Sequence, residues 1–144
     1  MRESAETARP ARTGCGWDGS PAGGLDSPLD LVHLARQCQG DHELEMELLG
    51  LFRLQAPALT AQLADPSPLS LESKAKIAHT LRGSALSVGA GRVALAAWRI
   101  EEMASAGSLR LGGNADRRLE EAGRIAALLS AVTEAVAEID RILG

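Results

Sequence analysis

The chain reads as all-α: an antiparallel, up-and-down four-helix bundle preceded by a short extra N-terminal helix. Three observations predict this. Hydrophobic residues make up 45% of the 144 residues while aromatics supply only 2%, so the core must be filled by Leu, Ala, Val and Ile, a composition that favours helices over strands. Apolar residues recur at helical spacing through four long segments, and no strand-like alternation interrupts them. Turn residues separate the segments by short connectors, as neighbouring antiparallel helices require. A chain of this length has room for one domain with one modest core.

Residues 1–25 are rich in Gly, Ala, Ser, Pro and Arg and have no periodicity. Such a composition cannot bury enough apolar surface to offset chain ordering, so a disordered tail is expected there, with the bundle domain over 26–144 and Trp17 at most a loose contact. The run Ser27-Pro28-Leu29-Asp30 places serine at an N-cap, proline at the first helical position and an acid at the third. A short helix follows to about Gln39 and stops at Gly40.

Asp41 is placed to cap the second helix, and Glu43 in its first turn suits the helix dipole. Leu44, Leu48, Leu51, Phe52, Gln55 and Leu59 keep helical spacing, and the pattern continues to Leu63. Pro57 predicts a kink or an interior break, because it lacks an amide donor and crowds the preceding turn. Asp65-Pro66-Ser67-Pro68 is a stiff connector. Ser70 or Ser73 caps the third helix, which stops near residues 89–91. The fourth spans about 92–106 with Val93, Ala97, Ile100 and Ala104 inward and Gly107 at its end. After a loop over 108–113, Asn114 caps a last long helix whose face is Leu119, Ile125, Leu128, Leu129, Val132, Val136, Ile139 and Leu143, close to heptad spacing.

Composition also excludes several functions. A net charge of −4 and a pI near 5.4 argue against a general nucleic-acid binder. No apolar run approaches the roughly 20 residues that cross a bilayer, and the N-terminus lacks the apolar core of a signal peptide, so a cytoplasmic protein without a membrane partner is expected. Cys15 and Cys38 are far apart and share no CxxC spacing, which argues against a metal site and against a disulfide. No glycine-rich nucleotide loop is present, so the chain should neither bind ATP nor phosphorylate itself.

The stretch that carries chemistry lies in the third helix. At about 100° per residue, Ile77, Leu81, Ala85 and Val88 fall on one side and His79 points roughly the other way, into water. Ala75 and Gly83 lie one turn to either side of it, Arg82 three residues on, Lys76 three back and Leu86 two turns away. A glycine inside a helix costs about 1 kcal/mol relative to alanine. Gly83 is therefore explained best as clearance for a group approaching His79, with relief of helix packing as the alternative. Ser84 falls on the inward side, where close packing is its default role. His33 and His42 lie near helix ends with no accompanying motif. Trp98 reads as a core edge, and Glu101-Glu102 as a wet face.

The run His79-Thr80-Leu81-Arg82-Gly83-Ser84-Ala85, followed by Val88-Gly89-Ala90, resembles the signature of histidine-containing phosphotransfer (HPt) domains, H-x-[LI]-[KR]-G-S-[AS]-x-x-[IVL]-G-A. Arg82 stands where lysine is commoner, which keeps the charge but offers phosphate oxygens a planar fork. The resemblance covers roughly residues 29–106. It implies a helical bundle that relays a phosphoryl group between receiver-domain aspartates, with His79 as acceptor and the active histidine near the middle of the second long helix. Response-regulator receiver domains and a hybrid histidine kinase are the implied partners.

A solvated imidazole with an unperturbed pKa of about 6.5 is largely neutral at cytoplasmic pH, so it can attack phosphorus without a base to activate it. Arg82, with Lys76 as a weaker candidate, would stabilise charge on the phosphoryl oxygens. Ala75 and Leu86 would flank His79 as a small apolar docking patch, a solvent-facing leucine having no core role. The acids and magnesium that phosphoryl transfer needs are absent around His79, so the receiver is expected to bring the Mg²⁺ and the chain to need no cofactor of its own. It is expected to be a monomer and not an enzyme. A receiver-binding module without transfer, or a helical bundle that dimerises through its C-terminal helix, is the alternative.

Overall fold

The computed structural model describes residues 27–65, 70–106 and 114–144. Five helices account for nearly all of them: α1 (Leu31–Gln37), α2 (His42–Ala64), α3 (Leu71–Val88), α4 (Gly91–Ala106) and α5 (Asn114–Leu143). The four long helices form a closed ring in which α2 packs on α3, α3 on α4, α4 on α5 and α5 back on α2. The short α1 lies against α3 and α2. This is the expected bundle with its extra helix. The expected tail over 1–25, the 66–68 part of the stiff connector, Gly107 and the loop over 108–113 lie outside the described residues. Among the described residues no helix is long and apolar enough to cross a membrane.

The core is narrow because its side chains are small. Ala56, Ala78, Ala85, Ala94, Ala97 and Ala135 are fully buried, and the larger contributions come from Leu34, Leu49, Phe52, Leu81, Ile100, Leu128 and Ile139. The inner face expected for α4 is observed in full, with Val93, Ala97, Ile100 and Ala104 all buried. Two other faces hold in part. On α2 the buried residues are Leu49, Phe52, Ala56, Thr60 and Leu63, while Leu44 and Leu51 face outward. On α5 the expected Leu128, Val132 and Ile139 are buried together with Ala131 and Ala135, and Ile125, Val136 and Leu143 pack against the core, while Leu119 and Leu129 are exposed. Alanine, whose hydropathy signal is weaker than that of leucine, fills buried positions at Ala56 on α2 and at Ala131 and Ala135 on α5.

Pro57 sits inside α2 without breaking it. Asp41 caps α2 as expected, accepting from the Leu44 amide at 3.1 Å. For α3 the cap is Ser70, whose Oγ accepts from the Ser73 amide at 3.0 Å. The N-cap of α1 is Asp30 and not Ser27, because the Asp30 carboxylate accepts from the His33 amide at 3.0 Å. Its exit is left-handed at Gln39 (φ 54) and Gly40 (φ 82). Cys38 is buried at this exit, and burial, reinforced by Glu45 and Asp41, pushes its thiol above the ordinary value. It is a packing thiol, protonated at neutral pH.

The corner between α3 and α4 is the tightest part of the fold. Gly89 ends α3 in the left-handed region (φ 79), and the Ala90 amide donates to Ala85 O at 2.8 Å, closing a Schellman-type cap. The backbone of α1 then meets this corner, with the Asp30 amide donating to Gly89 O at 2.8 Å. His33 adds a second tie, its Nε2–H donating to Leu86 O at 2.7 Å. A Cβ on Gly89 would stand 2.5 Å from Asp30 O, so glycine is required twice over, by torsion and by space.

Replacing Gly89 by alanine should therefore destabilise the fold by about 2 kcal/mol or more, whereas Gly40→Ala, equally left-handed but in open space, should lose only about 1 kcal/mol. Urea unfolding of the two variants beside the parent checks the difference.

Candidate functional site

Helix α3 holds His79 by burying Ala78, Leu81, Ala85 and Val88 against its neighbours, which turns the imidazole outward. The ring is 64% exposed at its side chain. It is not isolated. Across the α3–α4 seam, Glu101 brings Oε2 to 2.9 Å from His79 Nδ1. Arg82, one turn further along α3, places Nη1 3.4 Å from Glu101 Oε1 and Nη2 3.3 Å from His79 Nδ1.

The carboxylate decides the tautomer. An ionised carboxyl only accepts, so its short contact with Nδ1 needs the proton on that nitrogen, and the neutral ring then carries its lone pair on Nε2. With Nδ1 protonated, the Arg82 guanidinium cannot donate to it, and its partner in the cluster is Glu101. Glu101 Oε1 is shielded from water and takes no hydrogen bond, leaving the Arg82 charge at 3.4 Å as its compensation. One half-buried acid thus orients a ring and anchors a guanidinium, whose remaining N–H groups point toward the exposed histidine's side of the seam.

The surroundings separate the two readings of Gly83. A Cβ placed there would meet nothing within 4 Å, so the glycine relieves no helix packing. It leaves the outer face of α3 open one turn from His79. Lys76 is exposed and Ala75 half-buried one turn before the histidine. Leu86 differs from expectation: it is half-buried and packs against the core, while its carbonyl accepts from His33. Its expected lack of a core role is corrected, because α1 covers that end of α3. Ser84 is also corrected from a packing residue to a polar link, its Oγ donating to Gln55 Oε1 of α2 at 2.7 Å.

Glu101 corrects the wet face expected for Glu101-Glu102, because its side chain is half-buried against His79. It stands four residues after the buried Ala97 and three before the buried Ala104, so it sits at the edge of the inner face of α4 and not on its wet side. What the spacing does not contain is which residue of α3 lies opposite. Among the described residues, no group of three or more His, Cys, Asp or Glu side chains could hold a metal ion.

A family model described as "Hpt domain" matches residues 47–140, more than half of the chain and all of the α3–α4 seam. A search of curated proteins and of solved structures finds no significant match. Members of this family are helical-bundle phosphotransfer modules of phosphorelays, phosphocarriers rather than kinases, that meet receiver domains and histidine kinases. An exposed histidine on the second long helix of a closed four-helix ring, within a match of this length, leads to one assignment: the chain belongs to the Hpt domain family.

Proposed function

We propose that the chain is a phosphocarrier that relays a phosphoryl group between receiver-domain aspartates of a two-component phosphorelay, with His79 as the carrier residue. The observation that carries this reading is the exposed imidazole whose Nδ1 is engaged by Glu101, which leaves Nε2 as the nucleophile facing solvent.

In the transfer, the Nε2 lone pair forms a bond to phosphorus as the bond from phosphorus to the aspartyl oxygen breaks, and the aspartate leaves as a carboxylate. The ring keeps its Nδ1 proton and becomes a phospho-imidazolium, whose positive charge lies 2.9 Å from the Glu101 carboxylate. No proton has to move, and the reverse reaction onto a second aspartate uses the same geometry. Arg82 can turn its unused N–H donors to the phosphoryl oxygens, with Lys76 adding charge from one turn back. Gly83 gives the receiver's loop access to phosphorus. Ala75 and the exposed edge of Leu86 flank the ring as contacts for the receiver, which brings its own Mg²⁺ and acids. The donor and acceptor are a hybrid histidine kinase's receiver and a response regulator, and the setting is cytoplasmic.

Incubation with a ³²P-aspartyl receiver should label the wild-type chain with an acid-labile phosphate, and His79→Gln should remove the label while circular dichroism stays helical. Labelling that persists in His79→Gln, or wild-type protein that takes label from no receiver in a broad panel, overturns the reading. A variant that binds receivers and suppresses their output without His79 would point to sequestration instead.

Gly83→Gln should raise helix propensity slightly and yet slow transfer severely, because the new side chain occupies the approach to the ring. Single-turnover transfer measured beside a thermal melt separates the two effects.

Glu101→Ala should slow transfer about tenfold, the equivalent of one hydrogen bond worth about 1.4 kcal/mol, whereas Glu101→Gln, still able to accept from Nδ1–H, should recover most of that loss. Rates from both variants at one pH check the order.

A further inference from the structure

The edge of the ring formed by α2 and α5 lies across the bundle from the α3–α4 seam that carries His79. It has a composition unlike the rest of the surface. In α2 no charged residue stands between Arg53 and Asp65, and in α5 none stands between Arg124 and Glu134, although 24% of the chain is charged. Pro57 and Ala58 lie three and four residues after Leu54, and Ala61 lies four and three after them, so the four share one side of α2, and all are exposed. Ala126, Leu129 and Thr133 follow at intervals of three and four on α5 and are exposed as well.

Between the two rows runs an apolar groove of about 250 Å³, lined from α2 by Pro57, Thr60 and Ala61 and from α5 chiefly by Leu129 and Val132. Its one buried hydroxyl, Thr60 Oγ, already donates to Ala56 O at 2.8 Å, so the floor presents no unmet donor. Leu54 stands 73% exposed beside it and Leu129 45% exposed on its wall.

From this we infer that the α2–α5 face is a two-fold interface between copies of this chain, in place of the monomer expected from sequence. The charges that border the face favour this occupant. Arg53 is paired with Asp140 at 3.1 Å, Glu134 with Arg92 at 2.6 Å, and Arg124 with Glu120 at 2.9 Å. An acidic or basic partner finds little there to pair with, and an anionic lipid surface would call for a basic rim. A second copy is different. Two chains of net charge −4 repel wherever their charges face, and this face brings none together. A two-fold contact also sets each patch against itself, so that protruding leucines and the groove that would receive them must lie on one surface, as they do here. Both copies of His79 stay open on the far edges.

Sedimentation equilibrium of the full chain tests this without reference to phosphotransfer. The mass should climb from 15.0 kDa toward twice that value as the concentration is raised to about 500 µM. Leu129→Glu and Ala58→Glu should each hold the chain at the monomer mass with unchanged helical circular dichroism. Leu119→Glu, a control 74% exposed in the charged first part of α5, should dimerise as the parent does. A parent that stays at monomer mass throughout overturns the inference, as does a dimer indifferent to both face substitutions. Should Leu129→Glu unfold, Ala58→Glu decides, since Ala58 is exposed and glutamate is a good helix former.

Discussion

Close approach of α3 and α4 is the constraint on which the site depends. Both helices fill much of their buried faces with alanine, Ala78 and Ala85 on one and Ala94, Ala96, Ala97 and Ala104 on the other. Small side chains let helix axes come nearer than leucine would allow, and the two-residue corner at Gly89 and Ala90 leaves no slack between the rods. Only at such a separation can a glutamate on α4 reach an imidazole on α3 at 2.9 Å. A core built from larger residues would push Glu101 out of range and leave His79 with neither a fixed tautomer nor a nearby counter-charge.

The corner itself is held from outside. Helix α1 is seven residues long, too short to persist alone, and its role is visible in what it bonds. The Asp30 amide and the His33 ring each donate to a carbonyl in the last turn of α3, at Gly89 and Leu86, and so satisfy acceptors that a helix end would otherwise leave to water. The same placement explains Leu86, which α1 draws partly into the core and whose remaining edge is all it can offer a partner.

Polar groups are distributed with matching economy around the ring. Arg53–Asp140 ties α2 to α5, Lys74–Glu121 ties α3 to α5, and Arg92–Glu134 ties α4 to α5, each at a partly exposed position where an ion pair adds little energy but opposes sliding. His79, Arg82 and Glu101 join α3 to α4 in a cluster that includes a nucleophile, and there the acid is the more buried partner and the histidine the more exposed. Structural pairs and site use the same chemistry; exposure of the ring and the open space over Gly83 distinguish them.

The amino-acid sequence by itself determined the number and order of the helices, because capping residues such as Asp41 and Ser70, the left-handed Gly89 and the apolar periodicity act within a turn or two of chain. It also determined that His79 faces outward with Arg82 and Gly83 beside it, since all three sit on one helix and their angles follow from the 3.6-residue repeat. It marked much of the buried faces of α2 and α5, at Phe52, Leu63, Leu128, Val132 and Ile139, but could not show that Leu51, Leu119 and Leu129 face outward, since an exposed leucine at the edge of a stripe mimics a core position. Nor could it show that Ser84 meets Gln55, or that Glu101 meets His79 across 22 residues. Those contacts depend on the rotation and separation of two packed helices. Only the tertiary structure sets these, because they result from how all four buried faces fill one another.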